Sequence, residues 1–476
     1  MRVSEWAGLH NRQAELDFVD IDTSRDTKLF VDPYAIDIRG DAWSSECSRY
    51  LRSFFNSLIQ ALRSGDDARA THLASHLHET NETFLGLSRG RPQGRGIGAE
   101  QADLILEALR QSRAVQTGLL SELAETELFI PGIGSDKVSD LTTNILRGPL
   151  LNYTRQEAEL WGMPLTDNLA LAPVWDPNQE DWVQAPRATI VVNGAPVILV
   201  PKFGVRKVLS LNSQEFYNNH MIPCLQQEYL HAGQALVHVL KSGARRVYKK
   251  DVKEAHPRYK PDLATFAQEH PEVLAQYKRL AGAKGVLDPD DLEADFDERD
   301  YARRLAEELR GIGVGNAHAS EYHRYCIGAL TFLFFPELIT PIKEREIDQG
   351  RKRIDISYTN AAREGFFDTA LRSPQTRAIQ IPVECKNYSQ EVANPELDQL
   401  TGRFSHVRGF FGILCCRSFS DKERFIARCK DAAVHRSHFV IALDDDDLIR
   451  MLANVERGDR RANDRYLRER FAELGD

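Results

Sequence analysis

Apolar residues recur along this chain with two periods, and the changes between them mark its organisation. Over 44–87 and 99–126 they return every three or four positions, with Leu51, Phe54, Phe55, Leu58, Ile59 and Leu62 forming one stripe. That spacing predicts helices burying one face, the first capped by Ser44 or Ser45. Upstream, Glu15–Ile36 is dense in aspartates (Asp17, Asp20, Asp22, Asp26, Asp32) with looser alternation. Two short strands around a Ser24–Arg25–Asp26 turn are expected there. Asp136 to Leu146 reads as a helix ended by Gly148–Pro149. From Arg187 the period falls to two: Ala188–Val192 and Pro196–Val200 flank Asn193–Gly194, a strong hairpin signal. Helices are predicted from Ser213 to His238 and over an acidic stretch from Leu263 to Leu309, with Gly311–Gly315 as a linker.

Beyond that linker the two periods alternate. Ala319–Phe335 is a predicted helix stopped by Pro336. Leu338–Lys343, Ile354–Tyr358 and Ile379–Cys385 are predicted strands. Asn394–Pro395–Glu396 combines a cap, a first-turn proline and a first-turn acid, and opens a helix to about Val407. Phe410–Cys416 and Phe439–Leu443 are almost wholly apolar, as strands covered on both faces are, with a helix Ser420–Val434 between them. Alternation of this kind predicts an α/β C-terminal domain, a mixed sheet flanked by helices. The expected organisation is a largely α-helical N-terminal region (1–185), an α+β middle region (186–315), the α/β domain (316–455) and a charged helical tail (456–476).

At 476 residues the chain has ample material for about three cores. Apolar residues at 42% exclude a disordered polymer. Seven scattered cysteines without a CxxC pair suit reduced thiols in a cytoplasm. A polar N-terminus predicts no signal peptide, and no apolar run approaches the ~20 residues of a membrane span. The net charge of −9 argues against a uniformly basic nucleic-acid coat, but it averages opposed blocks. Residues 201–260 hold eleven Lys/Arg against four Asp/Glu, 261–310 hold seven against thirteen, and 341–430 hold sixteen against twelve. The first block, with Tyr248 and Tyr259 interleaved, reads either as a track for a phosphate backbone or as a solvated face pairing with the acidic block.

The candidate chemistry lies in Asp355, between Ile354 and Ile356, and in Glu384–Cys385–Lys386. On a strand Glu384 and Lys386 project from one face. Charges in so apolar a surround are costly unless paired or bound to metal, and two carboxylates with an ammonium suit Mg²⁺. This arrangement resembles the PD-(D/E)xK, restriction-endonuclease-like nucleases, over roughly residues 318–450. Asp355 stands at the family's Asp without the preceding Pro, and Glu384, Cys385 and Lys386 stand at its ExK. Asp398, Gln399 and Arg403 fall on the downstream helix where a supporting Gln is often carried. Glu321 lies on the upstream helix, where many members place a further acid.

The resemblance implies hydrolysis of phosphodiester bonds, cutting internally, with DNA ahead of RNA as the nucleic-acid partner and Mg²⁺ (or Mn²⁺ in its place) as cofactor. Asp355, Glu384 and the Cys385 backbone carbonyl would hold the metal, with Glu321 a further ligand or simply an exposed acid near a helix start. Glu344 and Glu346 are alternatives for that place. Lys386 would orient the attacking water, and Gln399 would fix Lys386 or a phosphate; Gln399 and Arg403 also read as an ordinary exposed helix pair. A restriction-type or anti-phage role gated by the N-terminal regions, with a partner protein or a second copy, is implied in the same way. The competing class is a binding protein with an inert nuclease fold. Three weaker signals remain: Arg89–Gly–Arg–Pro92 (an AT-hook core or a surface loop), His72/His76/His78 at helical spacing, and vicinal Cys415–Cys416, for which packing is the default.

Overall fold

The computed structural model describes residues 1–77, 81–86, 99–184, 186–233, 235–343, 356–387 and 394–475. In the N-terminal part, helix α1 (Ala42–Ser64) carries the predicted stripe. Its cap is Asp41, whose carboxylate accepts from the Ser44 N–H at 2.9 Å, so the cap lies three residues before the serine expected to provide it. Helix α2 (Arg147–Trp161) begins where a helix was expected to stop. Pro149 sits in its first turn, where a backbone N–H has no helical partner to lose, so the proline starts this helix instead of ending one. Of the two strands expected in Glu15–Ile36, only Phe30–Val31 forms.

The Asn193–Gly194 hairpin is present, joining Arg187–Val192 to Ala195–Val197. Both turn residues have positive φ, 53° and 79°, which is what a type I′ turn demands and why this dipeptide occupies it. Strand pairing crosses residue 185: Thr166–Leu169 pairs with Arg187–Val192, and Phe30–Val31 with Val205–Arg206. The middle part holds helices α3 (Ile222–Ala232), α4 (Lys260–Glu269), α5 (Pro271–Gly282) and α6 (Glu298–Gly311). An exposed two-stranded hairpin, His238–Val239 with Arg245–Arg246, stands where the end of a helix was expected.

The C-terminal part opens with helix α7 (Ala319–Phe334). Five strands follow, numbered here β1 (Leu338–Ile342), β2 (Ile356–Asn360), β3 (Gln380–Lys386), β4 (Phe411–Cys416) and β5 (Phe439–Leu443), and they lie in that order in one sheet. β1–β2–β3 are antiparallel and β3–β4–β5 parallel, so β3 is the strand at which the sheet changes sense. Parallel neighbours need crossovers; α9 (Asn394–Thr401) and α10 (Lys422–Arg436) supply them. α8 (Gly365–Arg372), not foreseen, lies between β2 and β3. The mixed α/β sheet flanked by helices is thus the architecture expected of this region.

α7 covers the face carrying Ile381, Val383 and Cys385. Tyr358 Oη donates to the Ile327 carbonyl at 2.9 Å from the middle of that face. Helices α11 (Asp445–Glu456) and α12 (Arg461–Ala472) close the chain. Phe471 of α12 packs its ring on Phe366, Phe411 and Phe439, so the charged tail contributes to the sheet's own core.

Two contacts fix how the parts join. Gly328 of α7 has no side chain where Glu15 and Asn11 press against it, and a Cβ there would collide with the Glu15 carboxylate. Glu15 is buried, bonded to Tyr301 Oη and to Asn11 Nδ2. The predicted glycine linker is also anchored. Asn387, next to Lys386, donates through Nδ2 to the carbonyls of Gly313 and Gly315 at 3.0 and 2.9 Å, and its own carbonyl accepts from the Gly315 N–H at 3.1 Å.

Candidate active site on the central strand

Glu384 and Lys386 lie two residues apart on β3 and so share a face. Glu384 has no exposed surface, and its Oε1 is 2.6 Å from Lys386 Nζ, whose side chain is 12% exposed. The pair therefore spans from the sheet's interior to the carboxyl end of its central strand. α9 lies over the same face: Gln399 Oε1 is 3.5 Å from Lys386 Nζ. Arg403, in the turn after α9, is buried, and its Nη2 lies 3.9 Å from Glu384 Oε2. Its Nε donates to the Gln399 carbonyl at 3.2 Å, which sets the guanidinium's direction. Arg403 is thus not half of an exposed helix pair; the helix ends at Thr401 and the arginine turns inward.

The close seating of α9 has a steric cause. A Cβ on Gly412 of β4 would meet the Pro382 carbonyl at 3.0 Å, Phe404 at 3.1 Å and Leu400 at 3.2 Å. With hydrogen there, Leu400 and Phe404 descend onto the strand and carry Gln399 and Arg403 to the Glu384–Lys386 pair. Asp398 points elsewhere, to Arg436 at 3.3 Å.

Cys385 projects from the opposite face, where its thiol hydrogen-bonds with those of Cys326 on α7 and Cys415 on β4. Those thiols, then burial, push the Cys385 thiol well up, so it stays protonated and only its backbone faces the site's side of the chain. Cys416 points the other way, its Sγ 3.7 Å from the Ser418 carbonyl, in keeping with a packing role for the vicinal pair.

The remaining candidates are distributed as follows. Asp355 lies outside the described residues, as do Glu344 and Glu346. Ile356, which follows Asp355, begins β2 and pairs with Val383, which precedes Glu384. Glu321 stands in the first turn of α7, half exposed, and its carboxylate is engaged by His318 Nδ1 at 3.0 Å. Ser357 is buried on the Glu384 side of β2, facing Pro382.

Sequence reasoning missed a second charged pair at the same end of the sheet. Lys386, Arg417 and Asp445 stand at or just beyond the carboxyl ends of β3, β4 and β5, where open α/β sheets place their ligands. Asp445 Oδ2 is 2.9 Å from Arg417 Nε, and Tyr322 Oη donates to Oδ1 at 3.3 Å. Burial raises the Asp445 pKa to about 7 against the opposing pull of Arg417. The signal that could have found it is the run Asp444–Asp447 directly after the apolar strand Phe439–Leu443.

The basic block is partly engaged and partly free-standing. Lys207 pairs with Asp291, and Lys284 with Glu215, each at 2.6 Å across the two charge blocks. Arg245 and Arg246 stay exposed on their hairpin, with Arg246 over the Tyr248 ring at 5.0 Å. His72 bonds Asp181 at 2.7 Å and His76 packs on Trp182; His78 and Arg89–Gly–Arg–Pro92 lie outside the described residues. Among the described residues no helix is long and apolar enough to cross a membrane.

Residues 8–212 match the model of a family described as a domain of unknown function, DUF8370. That stretch takes in the strands that pair across residue 185. The chain is 29% identical over 118 residues to the putative transposon gamma-delta 80.3 kDa protein of Escherichia coli (strain K12). The match covers 25% of this chain and 16% of that protein, so the chain spans about a sixth of its relative's length. Among solved structures, restriction endonuclease FokI bound to DNA aligns over 89% of this chain and 74% of its own, at 11% identity and a TM-score of 0.23.

Proposed function

We propose that this protein is a Mg²⁺-dependent nuclease that cuts phosphodiester bonds internally, in DNA ahead of RNA, with Asp355, Glu384 and Lys386 as its catalytic residues. The observation that carries the reading is the buried Glu384–Lys386 pair on the strand where the sheet changes from antiparallel to parallel, with Gln399 and Arg403 brought down on it.

The donors suit the ion. Glu384 offers hard carboxylate oxygens in a site from which the soft thiol of Cys385 is turned away, and Mg²⁺ takes oxygen ligands. Asp355, Glu384 and the Cys385 carbonyl would hold it. Bound there, Mg²⁺ supplies positive charge beside the scissile phosphate and a water of lowered pKa.

The chain's own groups do the rest. Lys386, partly exposed at the strand end, presents an ammonium held by Glu384 and Gln399, whose positive charge would orient the attacking water and meet the phosphate. Gln399 limits where that ammonium swings. Arg403 sets a second positive charge near Glu384, on the oxygen that Lys386 does not hold. Residues 1–315 choose or gate the substrate in this reading, and a restriction-type or anti-phage role is its biological setting.

The test is incubation of supercoiled plasmid and of structured RNA with the full chain in Mg²⁺, Mn²⁺ or EDTA, comparing wild type with Asp355→Ala and Lys386→Ala. Nicking that needs the metal and vanishes in both variants supports the reading. Nicking that survives both substitutions overturns the site, and no cleavage of either nucleic acid favours the inert, binding form of the fold.

A further inference from the structure

Away from this sheet, three side chains of different chemistry converge in the middle part. Cys224 and Glu228 are four residues apart on α3 and share a helix face, with Sγ 3.9 Å from Glu228 Oε1. His270 caps α5 in the break after α4, and its Nε2 lies 3.4 Å from the same oxygen. The ligand atoms of all three lie within 4.8 Å of one another. We propose that Cys224, Glu228 and His270 bind one zinc-type transition-metal ion, leaving a fourth position for water.

The spacing fits. Zn–S of about 2.3 Å and Zn–N or Zn–O of about 2.0 Å at tetrahedral angles put neighbouring ligand atoms roughly 3.3–3.5 Å apart. The observed 3.4 Å matches, and 3.9 Å needs only a small rotation of the cysteine or glutamate. The ligand set selects the ion: a thiolate with an imidazole and one carboxylate suits Zn²⁺ or Co²⁺ and not Mg²⁺. The site is thus separate from the nuclease reading, and neither depends on the other.

Three features outside the triad support it. The His270 ring is already oriented, stacked on buried Phe266 with centroids 4.4 Å apart. Its other nitrogen, Nδ1, lies 3.7 Å from Glu272 Oε1, so a short rotation of that exposed glutamate would place a carboxylate behind the ring, the arrangement that metal-ligating histidines use. α3 is also entered through a π-helical turn, Tyr217–Met221, which shifts the phase of the helix face that carries Cys224 and Glu228. An ion here ties α3, from whose end the arginine hairpin emerges, to the α4–α5 corner.

The experiment is titration of the reduced, chelator-stripped full chain with Co²⁺, followed by absorption, and then with Zn²⁺. One equivalent should give a thiolate-to-cobalt band in the near ultraviolet with intense tetrahedral bands in the visible, and Zn²⁺ should bleach both. Cys224→Ser should remove the near-ultraviolet band, His270→Ala should weaken binding beyond the titration's range, and Glu272→Gln should weaken it ~10-fold or more. Zn²⁺ should raise the melting temperature of wild type and not of Cys224→Ser. Circular dichroism of each variant shows that it is folded. No thiolate band in wild type, or a band that survives Cys224→Ser, overturns the proposal; Mg²⁺-site occupancy alone produces no such band.

Discussion

Arg403 reaches Glu384 from the turn beyond α9, its Nη2 3.9 Å from Oε2, while Lys386 holds the other oxygen at 2.6 Å. One fully buried carboxylate therefore has two cations, one behind it and one in front. Truncating a partner of a buried charge costs about 2–5 kcal/mol, because the remaining charge stays desolvated. Arg403→Met should lower the unfolding free energy in urea by about that amount, and Arg403→Lys by less. Lys386→Met, at the exposed end, should cost less stability yet lower plasmid nicking to background. Equal loss of stability in the two variants would contradict this division of roles.

Gly412 sets the height of α9 above the sheet. Gly412→Ala should destabilise by ~1–3 kcal/mol and lower cleavage beyond what lost stability explains, since Gln399 and Arg403 ride on the displaced segment. Gly412→Ala combined with Leu400→Ala, which removes one colliding side chain, should recover part of both. Calorimetry and nicking rates read the two effects separately.

Asn387 makes three hydrogen bonds to the glycine joint. Asn387→Ala removes the two from its side chain, a loss of about 1–3 kcal/mol for carbonyls left without a partner. Limited proteolysis should then cut within Gly311–Gly315 faster than in wild type, and unchanged cutting would show that the bonds do not restrain the joint.

Asp445 gives stability a pH dependence. Its folded-state pKa, near 7, lies above the usual carboxylate range, so the folded form retains a proton the unfolded chain gives up. The contribution is complete below about pH 4 and is lost as pH rises to 7 and beyond. Asp445→Asn should flatten the fall in stability between pH 5 and 8 in urea unfolding. A variant whose curve parallels wild type over that range would refute the assignment.

The sequence showed most where local rules act alone. Asn193–Gly194 forces its hairpin, and the apolar runs of β4 and β5 are too short for a buried helix and read as doubly covered strands. Glu384 and Lys386 share a face because strand geometry leaves no choice. It showed least where distant partners decide. Ser44 and Asp41 are equally good caps on paper, and the helix start chose between them. Pro149 ends or begins a helix according to what precedes it, and Arg403 looked exposed because nothing local says that a helix stops two residues earlier. Asp445 and Arg417 meet only because parallel strands bring their ends together across a crossover.

The joint at Gly313–Gly315 and the candidate site share a neighbour: Asn387 grips the one and adjoins Lys386 in the other. Coupling through such a residue is reciprocal by thermodynamic necessity. If Lys386 binds substrate as proposed, any coupling of that binding to a shift of α6 against the sheet would run equally in both directions. The glycines that look like slack in the sequence are the part of the chain that Asn387 ties down.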